Sequence, residues 1–358
     1  MQNSVAVGSL ITSPSASGAP RQPRLEQLDA MRGIAAVAVV IYHYTTFLHD
    51  RLGIEGPSWA RAARLYPFAV GEHGVALFFV LSGFVILMTL DRTRTAKDFL
   101  ISRGSRLYPA FWAAMLFTAG FRVFVGSDHI SAATLLANVT MVPGWFGQPF
   151  VEGVYWTLVV ELQFYALMLL LWWLRWLPRI EWVCAGWLAL LAAAQVGARL
   201  GLAPNALEVL STALILRFIP LFSAGMMFYR ILKEGWTAPR VGVILAGYAT
   251  SWLSGNYLKA SVVTVVLLVW ALMVTHRLPT LRPNRMWQWL GARSYALYLV
   301  HMNIGFVLLT KLFAVTRSPV VLFVVVFAFV LTLSAVLHHT IEAPAMSWIR
   351  RVTRKGAG

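Results

Sequence analysis

The 358-residue chain has little charge and almost no cysteine. Charged residues make up 12% of the sequence and hydrophobic residues 59%, with a mean hydropathy of +0.69. Soluble proteins carry about 25% charged residues, so a water-soluble fold would have to hide too much apolar surface. The one cysteine, Cys184, excludes an intrachain disulfide and indicates no redox compartment. Short alternating strands are also lacking, so the apolar segments are predicted to be helices that face lipid.

Apolar stretches of roughly 17 to 25 residues recur along the whole chain, the length that a helix needs to cross a bilayer. They predict an all-α, polytopic membrane protein with about ten transmembrane helices. The predicted spans are residues 30–48, 74–90, 107–125, 154–174, 182–200, 210–229, 241–254, 260–275, 290–310 and 320–338.

The net charge of +16 comes from short basic clusters between the apolar stretches, which favours contacts with anionic lipid over nucleic acid. With the N-terminus inside, about 21 of the 30 Lys and Arg residues fall on the inner side, so both termini are predicted to be cytoplasmic. Residues 1–24 read as a disordered cytoplasmic tail, 25–349 as the transmembrane domain and 350–358 as a basic cytoplasmic tail.

His43 is the leading catalytic candidate, because an ionisable residue inside a span costs on the order of 3 kcal/mol and is a functional candidate by default. Arg32 precedes it by eleven residues, which places both on nearly the same helix face, roughly 16 Å apart along the axis. Burial favours the neutral imidazole that a general base requires. The alternative is a histidine that only hydrogen-bonds between helices.

Two further spans carry polar candidates. Glu161 in the fourth span falls at a depth where an encounter with His43 is feasible, or it is a structural carboxyl bonded to a neighbouring helix. Ser294, Tyr298 and His301 recur along one face of the ninth span. His301 is either a second base or orienting residue, or a hydrogen-bonding contact between helices.

Arg103 and Arg106 stand in a basic segment that is predicted to be an inner loop before the third span. Their i, i+3 spacing lets two guanidinium groups point to one place, which suits phosphate oxygens. The alternative is a topology signal with lipid headgroup contacts.

His338, His339 and Glu342 at the end of the tenth span are a conceivable metal site. No further clustered ligand is evident in the sequence, so no metal is expected.

In order and combination these segments resemble the acyltransferase-3 family of bacterial membrane proteins, over about residues 25–348. The matching motifs are the Arg32–His43 pair, GVALFFVLSGF (74–84), FLISRGSRLYPAFW (99–112), WTLVVELQFY (156–165), SYALYLVH (294–301) and the terminal EAP (342–344). Many family members carry an acidic residue where this chain has Ala76, so a carboxylate role there is absent or moved.

The resemblance implies an O-acyltransferase in the bacterial inner membrane, moving an acetyl or other acyl group from cytoplasmic acyl-coenzyme A to a surface carbohydrate or lipid-linked sugar. His43 and Glu161 would be catalytic, Arg32, Arg103 and Arg106 would bind the acyl donor, and Trp156, Tyr298 and His301 would line the substrate path. Direct transfer and an acyl-histidine intermediate both remain open. We expect the form without the esterase-like domain fused to some members.

Alternatives from other classes are a transporter or flippase for a sugar or lipid-linked substrate, and a membrane scaffold without enzymatic activity. The identity of the acceptor, the acyl chain length and the oligomeric state leave no mark in the sequence.

Overall fold

A computed structural model of the chain describes residues 23–53, 71, 73–202, 204–253 and 284–355. Helices and short turns make up these ranges, without a strand, which confirms the all-α class. The α-helices, in chain order, are α1 Pro23–Asp50, α2 Gly74–Leu90, α3 Ala96–Phe124, α4 Ala132–Val139, α5 Trp156–Trp173, α6 Ile180–Arg199, α7 Pro204–Ala213, α8 Ile219–Glu234, α9 Ala238–Leu253, α10 Arg285–Val300, α11 Met302–Phe313, α12 Pro319–Leu337 and α13 Ala343–Lys355.

Five described helical segments are long and apolar enough to cross a membrane, and up to seven if each of two bent pairs counts as one span. The predicted second span is the 17-residue helix α2, and the predicted seventh is the 16-residue helix α9. The predicted span 260–275 lies outside the described residues. The chain is therefore a helical protein with several membrane-spanning segments, while the number ten and the cytoplasmic side of both termini stay predictions.

Helix α3 differs from its predicted bounds. Thr95 caps it by accepting a hydrogen bond from the Asp98 N–H at 3.1 Å, and 29 residues of helix follow. Such a helix is about 44 Å long and exceeds the ~30 Å hydrocarbon core. Arg103 and Arg106 consequently lie on this helix, and the loop expected for them was wrong.

Two other boundaries also moved. Helix α1 begins at Pro23, within the last residues of the predicted tail, whereas residues 1–22 lie outside the described ranges. At the other end α13 continues to Lys355, so most of the predicted C-terminal tail is helical.

Two predicted spans are broken helices. Helices α7 and α8 meet at 59° across a break in which Ile215 has a left-handed φ of 47°. Helices α10 and α11 meet at 70° with His301 between them. Irregular backbone at membrane depth is tolerated where protein or a cavity surrounds it. Ile215 lines the larger cavity described below, whereas His301 is fully buried in protein.

Glycines bring two helix pairs into close contact. A Cβ added at Gly225 of α8 would lie 1.9 Å from the Val80 carbonyl oxygen of α2, and one added at Gly291 of α10 would lie 1.9 Å from the Asp29 carbonyl oxygen of α1. Small residues let membrane helices approach backbone to backbone. These two contacts, the most extensive between the described helices, position the helices that carry the polar candidates.

Candidate active site

Three arginines converge on a small cavity of about 90 Å³ between α1, α2, α3, α5 and α10. Arg32 comes from α1, and Arg103 and Arg106 come from successive turns of α3. Glu161 of α5 lines the same cavity. The helical i, i+3 spacing thus does bring both α3 guanidinium groups to one place.

Glu161 is the only carboxylate among the described residues that line this cavity. Its Oε1 accepts hydrogen bonds from the Tyr165 hydroxyl and, at 3.3 Å, from the Ser82 hydroxyl. Three cations therefore face one anion, although Asp29 also pairs with Arg32 at 3.6 Å. This charge balance favours an anionic ligand, because unpaired buried charge is costly.

The hydrogen bonds of Arg103 also favour an anionic ligand. One terminal nitrogen donates to the Thr89 hydroxyl at 3.0 Å, while its buried Nε has no hydrogen-bond partner within the described structure. A buried donor without a partner costs about 1 to 3 kcal/mol unless something satisfies it. Phosphate oxygens would satisfy it.

A second cavity, of about 1320 Å³, adjoins the arginine cavity. His43 and Trp156 line it, together with the break between α7 and α8. Its other polar and aromatic lining residues include Gln163, Gln195, Glu208, Arg217, Trp236 and Tyr248. Such a mixture of amide, charged and aromatic groups suits a polar organic molecule with hydroxyl groups.

The two cavities share a wall. Val75 and Phe79 of α2 and Tyr298 of α10 line both of them. The Tyr298 hydroxyl lies 2.6 Å from Thr157 Oγ1 and donates to the Val154 carbonyl at 3.0 Å, which fixes the ring in this position. A group that passed between Arg103 and His43 would cross this wall.

His43 is half-buried at the larger cavity and contacts a second histidine. His43 Nδ1 lies 3.1 Å from His301 Nε2, and the ring centroids are 5.1 Å apart. His301 is fully buried, and its Nδ1 lies 2.8 Å from the Tyr298 carbonyl oxygen. The two imidazoles and this carbonyl form a chain of hydrogen bonds that ends at the cavity.

The candidates therefore divide into two groups. Arg32, Arg103, Arg106 and Glu161 meet at the small cavity, whereas His43 meets His301 at the larger one. The contact between Glu161 and His43 considered from the sequence does not form, because Glu161 hydrogen-bonds Tyr165 and Ser82 instead.

The three predicted lining residues have different positions. Trp156 and Tyr298 line the larger cavity, and Tyr298 lines the arginine cavity as well. His301 is absent from the lining of both described cavities and lies behind His43.

The polar residues at the end of α12 do not gather into one site. His338 Nδ1 lies 3.0 Å from Glu342 Oε2, but His339 Nε2 bonds to the Arg293 guanidinium. Within the described ranges, no group of three or more His, Cys, Asp or Glu residues is placed to hold a metal ion.

Three residues of the site were missed in the sequence. Tyr165 lies four residues after Glu161, so helical spacing alone could have indicated it. Ser82 gives no comparable signal. Glu152, fully buried before α5, accepts the Asn303 N–H at 2.9 Å and supports the break at His301, which no sequence pattern indicates.

Comparison with known proteins gives one family. A family model described as an acyltransferase domain (Acyl_transf_3) matches residues 25–339, which include both cavities' polar residues. No solved structure matches the chain.

Three relatives illustrate the range of similar proteins. The chain is 29% identical over 312 residues to nodulation protein 10 of Rhizobium leguminosarum bv. viciae, covering 76% of this chain and 81% of that one. It is 27% identical over 176 residues to peptidoglycan O-acetyltransferase OatA of Listeria monocytogenes (44% and 25%). It is 31% identical over 108 residues to exopolysaccharide production protein ExoZ of Rhizobium meliloti (28% and 33%).

Proposed function

The chain belongs to the acyltransferase-3 family and is a membrane acyltransferase, and we propose that it transfers an acyl group, most simply acetyl, from acyl-coenzyme A to a carbohydrate hydroxyl. The observation that carries this proposal is the shared wall. A cation-rich cavity lies on one side of Val75, Phe79 and Tyr298, and a larger cavity with a histidine at its edge lies on the other. Donor and acceptor would approach the wall from opposite sides.

The arginine cavity supports an acyl-coenzyme A donor. Coenzyme A carries several phosphates, and guanidinium groups recognise phosphate oxygens through paired hydrogen bonds. Arg103 and Arg106 would hold phosphate at the cavity while Arg32 adds positive charge from α1. The pantetheine arm would then extend across the wall and bring the thioester to His43.

At His43 the reaction would be a general-base acyl transfer. The imidazole takes the proton of the acceptor hydroxyl as its oxygen attacks the thioester carbonyl. The new C–O bond forms, the C–S bond breaks, and the imidazolium returns the proton to the departing thiolate. The products are an O-acyl ester and free coenzyme A, so every proton is accounted for without another reactant.

The larger cavity supports a carbohydrate acceptor. Its amide, charged and aromatic lining offers hydrogen bonds to hydroxyl groups and flat surfaces for sugar rings. Two of the relatives carry peptidoglycan and exopolysaccharide in their names. By analogy we place the acceptor among cell-envelope polysaccharides or their lipid-linked precursors.

For topology we propose a multi-pass protein of the bacterial inner membrane with the arginine cavity toward the cytoplasm. Helix ends that the charge pattern assigns to the inner side contact one another. Asp91 after α2 pairs with Lys233 of α8 at 2.7 Å, and Glu181 of α6 pairs with Arg240 of α9 at 3.1 Å. These contacts support one common inner surface.

A thiol-release assay tests the proposed reaction. Membranes that contain the protein are mixed with acetyl-coenzyme A, and free coenzyme A is measured with and without an extract of cell-envelope polysaccharide. We expect release that depends on acceptor and is lost in Arg103→Gln/Arg106→Gln. Movement of the acceptor across the membrane without thiol release would instead favour the transporter alternative. Broken helices are also common in transporters.

A further inference from the structure

We infer that His301 is a positioning residue that fixes the tautomer of His43, so that His43 Nδ1 carries the proton and His43 Nε2 is the basic nitrogen at the larger cavity. The inference rests on the proposed function, in which His43 is the general base. It assigns His301 a task different from lining the substrate path.

The proton of the neutral His301 ring lies on Nδ1. Its Nδ1 lies 2.8 Å from the carbonyl oxygen of Tyr298. A carbonyl oxygen only accepts hydrogen bonds, so His301 Nδ1 must carry a proton and donate it. His301 is fully buried and has no carboxylate hydrogen-bonded to it within the described structure, which favours the neutral ring. Nε2 of His301 is then an acceptor.

His301 in turn fixes the position of the proton on His43. Because His301 Nε2 accepts, the His43 nitrogen 3.1 Å away must donate, and that nitrogen is Nδ1. In the neutral ring the lone pair is left on Nε2.

The Nε2 edge of His43 is the edge left for the larger cavity. His43 lines the larger cavity and is only half-buried. Its Nδ1 edge faces His301, so the opposite edge of the ring is the one available to a hydroxyl in the cavity. The arrangement therefore holds the free lone pair where an acceptor would bind.

The break between α10 and α11 keeps His301 in place. The Tyr44 hydroxyl donates to the His301 carbonyl at 2.8 Å, and the Tyr155 hydroxyl donates to the Leu299 carbonyl at 3.1 Å. Glu152 accepts the Asn303 N–H at 2.9 Å. Backbone groups released by the 70° bend are thus satisfied by side chains from other elements, which stabilises the bend that turns the imidazole toward His43.

Loss of the acceptor at His301 would allow His43 to adopt the opposite tautomer, with its lone pair turned away from the substrate. In the serine-protease triad a wrong tautomer lowers kcat by about 10⁴-fold. We therefore expect His301→Leu to lower kcat by about 10² to 10⁴-fold and to leave the KM for acetyl-coenzyme A within threefold. His301→Gln retains an acceptor oxygen, and we expect it to keep kcat within tenfold of the wild type.

Leu309→Ala is the matched control for packing, because it truncates a fully buried side chain on α11 and leaves both imidazoles and their hydrogen bonds intact. We expect its kcat to stay within a few-fold of the wild type. Equal losses in His301→Leu, His301→Gln and Leu309→Ala would mean that His301 acts only in folding, and would overturn the inference.

A spectroscopic measurement separates this inference from the proposed function. In full-length protein with ¹⁵N-labelled histidine, the His43 signals are identified by their loss in His43→Ala, and protonated and unprotonated ring nitrogens have distinct shifts. We expect Nδ1 protonated in the wild type and a mixture of tautomers in His301→Leu. A wild-type His43 protonated at Nε2 would overturn the inference even if transfer is observed. The expected His43 tautomer in a protein that transfers no acyl group would overturn the proposed function and leave the inference about His301 intact.

Discussion

Arg32, Arg103 and Arg106 share one small cavity with a single carboxylate, Glu161. Such an excess of partly buried positive charge is unfavourable in the empty protein and becomes favourable when an anion enters. At the scale of single residues, we therefore assign donor binding to the guanidinium groups and proton transfer to His43. The two functions can be separated experimentally because they lie on different sides of one wall.

The separation predicts that Arg103→Gln and Arg106→Gln weaken binding of acyl-coenzyme A. Each substitution removes charged hydrogen bonds worth about 1.5 to 3 kcal/mol, so the KM should rise about 10- to 100-fold. Arg92→Gln is the matched control, since Arg92 is an exposed arginine just before the same helix. Steady-state kinetics with varied acetyl-coenzyme A measures the effect, and equal KM values in all three variants would contradict the assignment.

The sequence identified the important residue types but not their partners. Ionisable side chains in apolar stretches are conspicuous, so His43, Glu161 and the two α3 arginines could be selected. Which of them meet depends on how α1, α5 and α10 are rotated about their axes. Sequence position gives the depth of a residue along a helix but not this rotation. Glu161 was therefore expected near His43, whereas the partner of His43 in the structure is His301.

At the scale of helices, the backbone contact between α2 and α8 supports the wall between the cavities. Gly83 and Gly225 face the partner helix so closely that an added Cβ would lie 2.2 Å and 1.9 Å from a carbonyl oxygen. The helices would have to separate to admit a methyl group. Phe79, which lines both cavities, belongs to the same helix α2.

Gly225→Ala should therefore destabilise the protein by about 1 to 3 kcal/mol or more, because it overpacks this contact. Gly186→Ala is the matched control, since a Cβ at Gly186 meets no atom within 4 Å and alanine favours helix by about 0.5 to 1 kcal/mol. Thermal unfolding in detergent measures both. Equal melting temperatures for Gly225→Ala and the wild type would show that the helices do not approach as described.

Helix breaks were harder to predict than helices. Residues 290–310 were predicted to form one continuous span. Their apolar composition predicts insertion into the membrane but does not indicate where a helix changes direction. The 70° bend at His301 arises from tertiary partners, Tyr44, Tyr155 and Glu152, that are distant in sequence. The break before α8 is similar, with Ile215 in a left-handed conformation that β-branched residues rarely adopt.

At the scale of the whole molecule, composition alone indicated a helical membrane protein, and the described helices confirm that class. Span number is less certain from composition, because α2 and α9 are short and two spans are bent. Orientation relies on the distribution of Lys and Arg, which is a property of insertion rather than of packing. It therefore needs its own measurement.

Cysteine labelling provides that measurement, because the chain has a single cysteine, Cys184, and it is fully buried. We expect a membrane-impermeant thiol reagent to label His129→Cys in intact cells. Lys97→Cys should react only after the membrane is opened. Both positions are exposed, so accessibility to the reagent is matched. Labelling of Lys97→Cys in intact cells would reverse the proposed orientation.

The most direct test of the account is acetyl transfer from labelled acetyl-coenzyme A to cell-envelope carbohydrate in membranes that carry wild type, His43→Ala or His49→Ala. His49 lies six residues further along α1 and lines neither cavity, so it controls for loss of a histidine from this helix. We predict that His43→Ala lowers labelling by at least about 10²-fold at equal expression, as expected for loss of a general base, while His49→Ala does not. Undiminished labelling in His43→Ala would contradict the assignment of the chemistry to this histidine.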